Sequence, residues 1–376
     1  MQAIAKTDHE VAAWLRLALA PGLRPAALRA LLTEFGLPDA VLGQPFDVLA
    51  RVTNAIAAHA VLAAPGAHFD AHLEALLAWR AEPGHALLAL DDPAYPPALL
   101  TMPDPPPLLY VKGHLAALHR RSVAIVGSRS ATPQGVEDSA RFARALSNAG
   151  LCVVSGLALG IDAAAHRGAL LGPAGTVAVV GTGVDVVYPT VHHALAQQIA
   201  GAGALLSEWP LGTPARAAHF PQRNRLIAGL VSGVLIVEAA MRSGSLITAR
   251  LANEMGRDVY ALPGSIHAPL ARGCHRMIKQ GAKLVETPED VLEELGIDTT
   301  ASKPAVDPAA PSASPLPPDA RRLLRAVGHA PATLEILATR TEMAHSELQG
   351  ALLELELAGH LVALPGGRYV RASHSQ

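Results

Sequence analysis

Cysteine is scarce: Cys152 and Cys274 are the only two in 376 residues, and no CxxC spacing occurs. That excludes a disulfide framework and a cysteine-based zinc site, and leaves two reduced, buried thiols as the expectation. Long apolar runs are also missing. The longest candidate, residues 168–184, is broken by glycines and Pro173 and followed by Asp185, so no membrane helix is predicted. The opening MQAIAKTDHEVAAW lacks a basic segment leading into an apolar one; no secretory signal is predicted and the cytoplasm is the expected compartment. Hydrolytic motifs are absent: the 17 histidines show no HExxH spacing and no GxSxG elbow closes a strand. No P-loop is present, and Gly181-Thr182-Gly183-Val184-Asp185-Val186 ends in valine where a dinucleotide fingerprint needs its third glycine. These gaps predict no cofactor, no metal and no catalytic residue. Charged residues make up only 16% of the chain and the net charge is −2, which argues against a globally basic nucleic-acid binder.

What is present is apolar and folded. Half the residues are hydrophobic, and the length predicts two or three domains. Residues 1–82 read as helices, with VAAWLRLALA and AALRALLTEF joined by APGLRP; this is either a helix-hairpin-helix unit or an ordinary helical hairpin with a turn glycine. Residues 83–296 begin with two apolar runs, ALLALDD and PLLYVKG, flanking a proline-rich loop and read as two edge strands. Six short β-branched strands then alternate with helices: SVAIVG, LCVVSG, TVAVVG, ALLSE, GVLIVEA and DVYALPG. Apolar on both faces, they predict an α/β fold with a doubly wound parallel sheet. Residues 297–317 are a linker with prolines at 304, 308, 311, 315 and 317. Residues 318–376 read as three helices and a Pro-Gly-Gly hairpin, a winged helix.

Glycines and small hydroxyl residues follow the predicted strands: Gly127, Ser128 and Arg129; Ser155 and Gly156; Gly181; Pro263 to Ser265. In an open parallel sheet that edge binds ligands, and loop amides with helix N-termini favour an anion there. Between Thr213 and Lys283 ten Lys and Arg face three acids, a local charge of +7. Within it, Phe220, Gln222, Arg223, Asn224 and Arg225 combine a stacking face with phosphate and base donors in what reads as one loop, the set single-stranded nucleic acid requires. The competing reading places Phe220 in the core and pairs the arginines with Glu208 or Glu238. Ser243, Gly244, Ser245 and Thr248 open another helix suited to phosphate. Asp162, Asp185, Glu208 and Glu238 are expected to cap amides and orient arginines, and His166 to act as a helix partner of Asp162.

GSRSATPQG, SGLALGIDAAAH, AVVGTGVDVVYP, LLSEWPLGTPARAAHFPQRNRLIAGL, VEAAMRSGSLITARLANEMGRDVYALPGSI and RGCHRMIKQGAKLVE, in that order, resemble the DprA/Smf family of bacterial DNA-processing proteins. The resemblance covers residues 85 to 290. It implies an extended Rossmann domain that binds single-stranded DNA, forms a homodimer and loads the RecA recombinase during natural transformation. It places a phosphate-binding arginine at Arg129, DNA contacts at Phe220 to Arg225 and Ser243 to Thr248, and a dimer-forming segment at Gly273 to Leu284, where His275, Met277, Ile278 and Leu284 are the candidate contacts. A nucleotide-processing enzyme of the related phosphoribohydrolase type is the alternative, but SGSLITARLANE lacks the PGGxGTxxE pattern of that group. In the winged helix six arginines meet six acids, and its third helix carries Glu347, Glu354 and Glu356 with only Gln349 suited to base contact. A protein-contacting role is predicted for it.

Overall fold

The computed structural model describes residue 3 and residues 6–297, 317–327, 332–364 and 366–372. Nearly all of the proline-rich linker read from the sequence, residues 298–316, lies outside the described residues. Six helices open the chain: α1 (Asp8–Ala18), α2 (Pro25–Phe35), α3 (Pro38–Leu42), α4 (Phe46–Val52), α5 (Ala55–Leu62) and α6 (Phe69–Arg80). Thr7 and Glu10 form a capping box at the start of α1, each satisfying a backbone N–H of the other's end. Leu17, Leu28, Leu31, Val41, Leu49, Ala58 and Val61 form a core among the helices. A second core joins α1 and α6 to the sheet, where Val11, Trp14, Leu15, Leu76 and Trp79 meet Leu87, Leu108 and Tyr110.

The sheet comprises β1 (His85–Ala89), α7 (Pro97–Leu100), β2 (Leu108–Gly113), β3 (Ser122–Val126), α8 (Pro133–Asn148), β4 (Cys152–Ser155), α9 (Ile161–Ala169), β5 (Thr176–Val179), α10 (His193–Ala202), β6 (Ala204–Ser207), α11 (His219–Leu230), β7 (Gly233–Ile236), α12 (Ser245–Glu254), β8 (Asp258–Ala261), α13 (Arg272–Lys279), β9 (Lys283–Leu284) and α14 (Pro288–Glu294). Nine strands lie in the order β1-β2-β6-β5-β4-β3-β7-β8-β9, and β3 through β9 are parallel. All six strands predicted from apolar β-branched runs are present; five are buried throughout, as helices above and below require, and β8 exposes only Asp258 at its start. The sequence reading of two edge strands needs one correction. Of these two, only β1 is at an edge, because β2 pairs antiparallel with β6 as well as with β1.

Strand order reverses direction at β3, whose neighbours are β4 and β7. This is a topological switch point, where the loops after adjacent strands splay apart and leave a crevice. The winged helix consists of α15 (Pro318–Val327), β10 (Ala332–Thr333), α16 (Leu334–Thr341), α17 (His345–Leu357), β11 (Leu361–Leu364) and β12 (Arg368–Arg371), around a core that includes Leu323, Leu337, Leu348, Leu352 and Leu355. No helix among the described residues is long and apolar enough to cross a membrane.

Candidate nucleic-acid interface

The crevice at the switch point gathers the predicted residues from three loops and the start of one helix. Ser128 and Arg129 follow β3, Gly156 follows β4, Gly181 follows β5, and Phe220 and Arg223 project from the start of α11. Phe220 lies half-buried against Gly181, and the Arg129 guanidinium sits 5.4 Å from the centre of its ring, a cation–π pairing that holds an otherwise exposed arginine at the crevice mouth. The segment from Phe220 to Arg225 is the first two turns of α11, a correction to its reading as a loop. Pro221 is compatible with the helix because it occupies the first turn, where a helix has no N–H partner to lose.

Helical periodicity then divides these residues between outside and inside. Gln222 is exposed, and Asn224 Nδ2 donates to the Gly244 carbonyl at 3.3 Å, tying α11 to the start of α12. Arg223 turns inward and is only 4% exposed. Its guanidinium occupies the space above Gly156, where a Cβ would fall 1.4 Å from Nη1, so only glycine admits it. Asp162 lies nearby, but its Oδ2 already accepts from the N–H groups of Gly156 at 3.1 Å and Ala158 at 3.4 Å. Burial pushes the Arg223 guanidinium down to about 10 and the Asp162 carboxyl up, with each charge opposing the shift of the other. Arg223 Nε has no partner among the described residues. Two guanidiniums, Arg129 and Arg223, thus face one crevice with a single carboxylate between them that is already hydrogen-bonded. Positive charge exceeds negative charge there.

Other predicted contacts are structural. Arg225 is buried and ion-paired with Glu208, and its Nη1 donates to the Asp104 carbonyl at 2.6 Å, so it is not available to phosphate. Here the competing reading, in which an arginine pairs with Glu208, describes the geometry. Burial pushes the Glu208 carboxyl up to about 7 against the pull of Arg225. Ser155 also serves the fold, since its hydroxyl donates to the Ile125 carbonyl at 2.7 Å. Ser128 Oγ accepts from Ser130 N–H at 3.1 Å and shapes the loop that presents Arg129. Ser243 and Ser245 share a hydrogen bond of 2.7 Å at the start of α12, with Gly244 exposed between them and Thr248 buried beneath. Glu238 accepts from both the N–H and the hydroxyl of Thr132, and Asp185 accepts from Gly212 N–H. Gly127 passes between Ile161 and Glu238.

His166 does not partner Asp162, contrary to the sequence expectation. Its Nε2 accepts from Leu157 N–H at 3.3 Å, while Nδ1 lies 2.7 Å from Thr176 Oγ1, whose proton goes to the Val153 carbonyl. That network fixes the neutral tautomer with the proton on Nδ1. Burial, reinforced by Arg223, pushes the imidazole down to about 3.

One aromatic escaped the sequence reading. Tyr188 is 46% exposed with its ring 5.6 Å from that of Phe220. Its only signal is a tyrosine in the glycine-led segment GTGVDVVYP of a chain that is 3% aromatic. In the segment predicted to dimerise, Met277 is buried in the core and is not a surface contact, and His275 Nε2 sits 3.0 Å from the Gly264 carbonyl. Ile278 is half-buried, and Leu284 is 51% exposed on the edge strand β9.

Comparison with known proteins places this arrangement. Residues 86–296 match the family described as DNA recombination-mediator protein A, and residues 307–367 match the DprA winged helix domain. Protein Smf of Escherichia coli is 43% identical over 302 residues, covering 80% of each chain. The DNA processing protein DprA of Streptococcus pneumoniae is 49% identical over 205 residues, 54% of this chain and 72% of that one. The crystal structure of the pneumococcal DprA superposes with a TM-score of 0.65 at 38% identity, covering 77% of this chain and 99% of that one. DNA processing protein A of Helicobacter pylori, whose structure concerns its single-stranded DNA binding mode, superposes with a TM-score of 0.52 at 31% identity, over 56% and 95%. The ordered loops, the extended sheet and the winged helix are those of one group, and the chain belongs to the DprA/Smf family of DNA-processing proteins.

Proposed function

We propose that the protein holds single-stranded DNA in the switch-point crevice, protects incoming strands and delivers the RecA recombinase onto them during natural transformation and recombination, acting in the cytoplasm as a homodimer. The observation that carries this reading is the pairing of Arg129 over Phe220 with the buried Arg223 behind Gly156. A guanidinium pair supplies charge to the phosphates, and an aromatic face takes any base, which is how sequence-tolerant strand binding works. The relative from Helicobacter pylori, solved for its single-stranded DNA binding, supports the same role. Residues 83–296 form the binding domain, residues 1–82 and 318–376 flank it, and residues 297–317 tether the winged helix.

No catalytic step is assigned. In the alternative nucleotide-processing reading an acid must stand beside the phosphate loop that opens α12. Glu254 lies at the far end of that helix, and Glu208, Glu238 and Asp162 are committed to Arg225, to Thr132 and to backbone amides.

Gel shifts of single-stranded and duplex oligonucleotides across a salt series test the binding role. Single strands should bind more tightly, with log K falling by about 0.7 per phosphate for each unit of log salt. Equal or tighter duplex binding overturns the reading, as does base release from nucleoside monophosphates. Recombinase delivery is read as faster filament nucleation on the same strand. For the homodimer, Leu284→Glu should give monomers in sedimentation, because a two-fold interface repeats any charge placed in it. A wild-type chain that sediments as a monomer at micromolar concentration ends that part.

A further inference from the structure

α8 and α9 leave the crevice side by side and cross so closely that a Cβ on Gly168 would lie 2.2 Å from the Ala140 carbonyl oxygen. Contact continues further down, where a Cβ on Gly172 would fall 2.6 Å from Ser147 Oγ. This crossing gathers three exposed arginines, Arg141 and Arg144 from α8 and Arg167 from α9. Arg141 reaches Asp138 at 3.3 Å; Arg144 and Arg167 make no hydrogen bond or ion pair among the described residues. Like charges held together by backbone contact repel one another unless an anion lies over them. At 1.5 Å per residue, α8 carries Arg141 and Arg144 about 12 to 17 Å from Pro133, where the helix begins four residues after Arg129. Ser130, Arg141, Arg144 and Arg167 line one groove along with Glu137 and Asp138, and Arg368 and Arg371 of the winged helix line it too. Ser130 directly follows Arg129, so the groove begins one residue from the crevice.

We propose that this arginine face is a second phosphate track, holding single-stranded DNA after it leaves the Arg129–Phe220 crevice. The inference rests on the crevice binding single strands, and it adds a longer footprint. Continuity favours a strand over an acidic protein: DNA already anchored at Arg129 meets these arginines at high effective concentration.

The test uses the full-length chain with oligonucleotides of about six and about thirty nucleotides, the first chosen to fill the crevice alone. Arg144→Gln with Arg167→Gln should weaken binding of the long strand at least fivefold and make its salt slope shallower by about 1.4, two contacts at about 0.7 each. Short-strand affinity and melting temperature should not change, and Arg144→Lys with Arg167→Lys should restore the long-strand affinity. Unchanged long-strand affinity and slope overturn the proposal and leave the face to an acidic protein partner. An equal loss on both lengths also overturns it, since the change then acts on the crevice. If Arg129→Ala leaves both lengths bound as before, it is the crevice reading that has failed.

Discussion

The central domain and the winged helix dispose of their charges in opposite ways. Around the crevice the fold buries Asp162, His166, Arg223 and Arg225, and nearly buries the Glu208 side chain. In the winged helix Thr341 is the one buried polar residue among those described, and the acids of α17 stand outside. Leu348, Leu352 and Leu355 of α17 fill its core, while Leu353 and Leu357, one turn apart, are exposed beside Glu354 and Glu356. A helix that offers leucines and carboxylates has no attraction for phosphate, whatever the fold around it. The proposed DNA binding therefore rests on where guanidiniums are left without carboxylates, and not on the presence of a fold that elsewhere reads DNA.

The largest expected effect tests the buried charges. His166 is neutral in the fold down to about pH 3, whereas in the unfolded chain it binds a proton below about pH 6.5. Its contribution is therefore full above about pH 6.5 and is lost as pH falls, by about 3 kcal/mol at pH 4. Glu208 acts in the opposite sense: burial raises its carboxyl to about 7, so its contribution declines as pH rises toward that value. Comparing urea midpoints of wild type and His166→Gln at pH 7 and pH 4 cancels Glu208. The wild type should lose more stability than the variant, and equal losses would break the contrast between a charge-burying domain and an apolar one.

Next comes Arg129→Ala, expected to cost about 1.5–3 kcal/mol in single-strand affinity, the range for charge-assisted hydrogen bonds, with no change in melting temperature. Normal binding, or a variant that does not fold, removes Arg129 from the site. Tyr188→Ala should cost about 1 kcal/mol, the lower end for stacking one base. A change common to Tyr188→Ala and Tyr188→Leu but absent in Tyr188→Phe would identify stacking as the cause. The smallest effect is expected from ending the chain at Gly296. Affinity for the same oligonucleotide should fall by less than tenfold, about 1.4 kcal/mol. A greater loss puts the winged helix on the DNA and erases the distinction between the two regions.

The sheet was legible because its strands are short apolar runs closed by glycines, and that pattern has few other solutions. The site was legible only in outline. Arg129, Arg223 and Arg225 look alike in sequence, yet one is exposed over a ring, one is buried over a glycine, and one is neutralised. What separates them is Glu208, which β6 delivers beside Arg225 across the sheet, and the missing Cβ of Gly156, which receives Arg223. Neither neighbour can be found by spacing along the chain. Met277 and Leu284 are similarly indistinguishable as apolar residues in a basic segment, and only the packing of α13 against the sheet turns the first inward.

The switch point at β3 also sets a timetable for synthesis. β3 pairs with β4 on one side and, about 110 residues later in the chain, with β7 on the other. Arg129 emerges early, but the ring it rests on and the guanidinium behind it come from α11, just before β7. Pairing over such a separation is slow to form, and chains fold from the N-terminus as they are made. A ribosome-bound chain that has not yet released β7 displays the glycine loops without the assembled crevice, so nascent chains should not compete with finished ones for DNA.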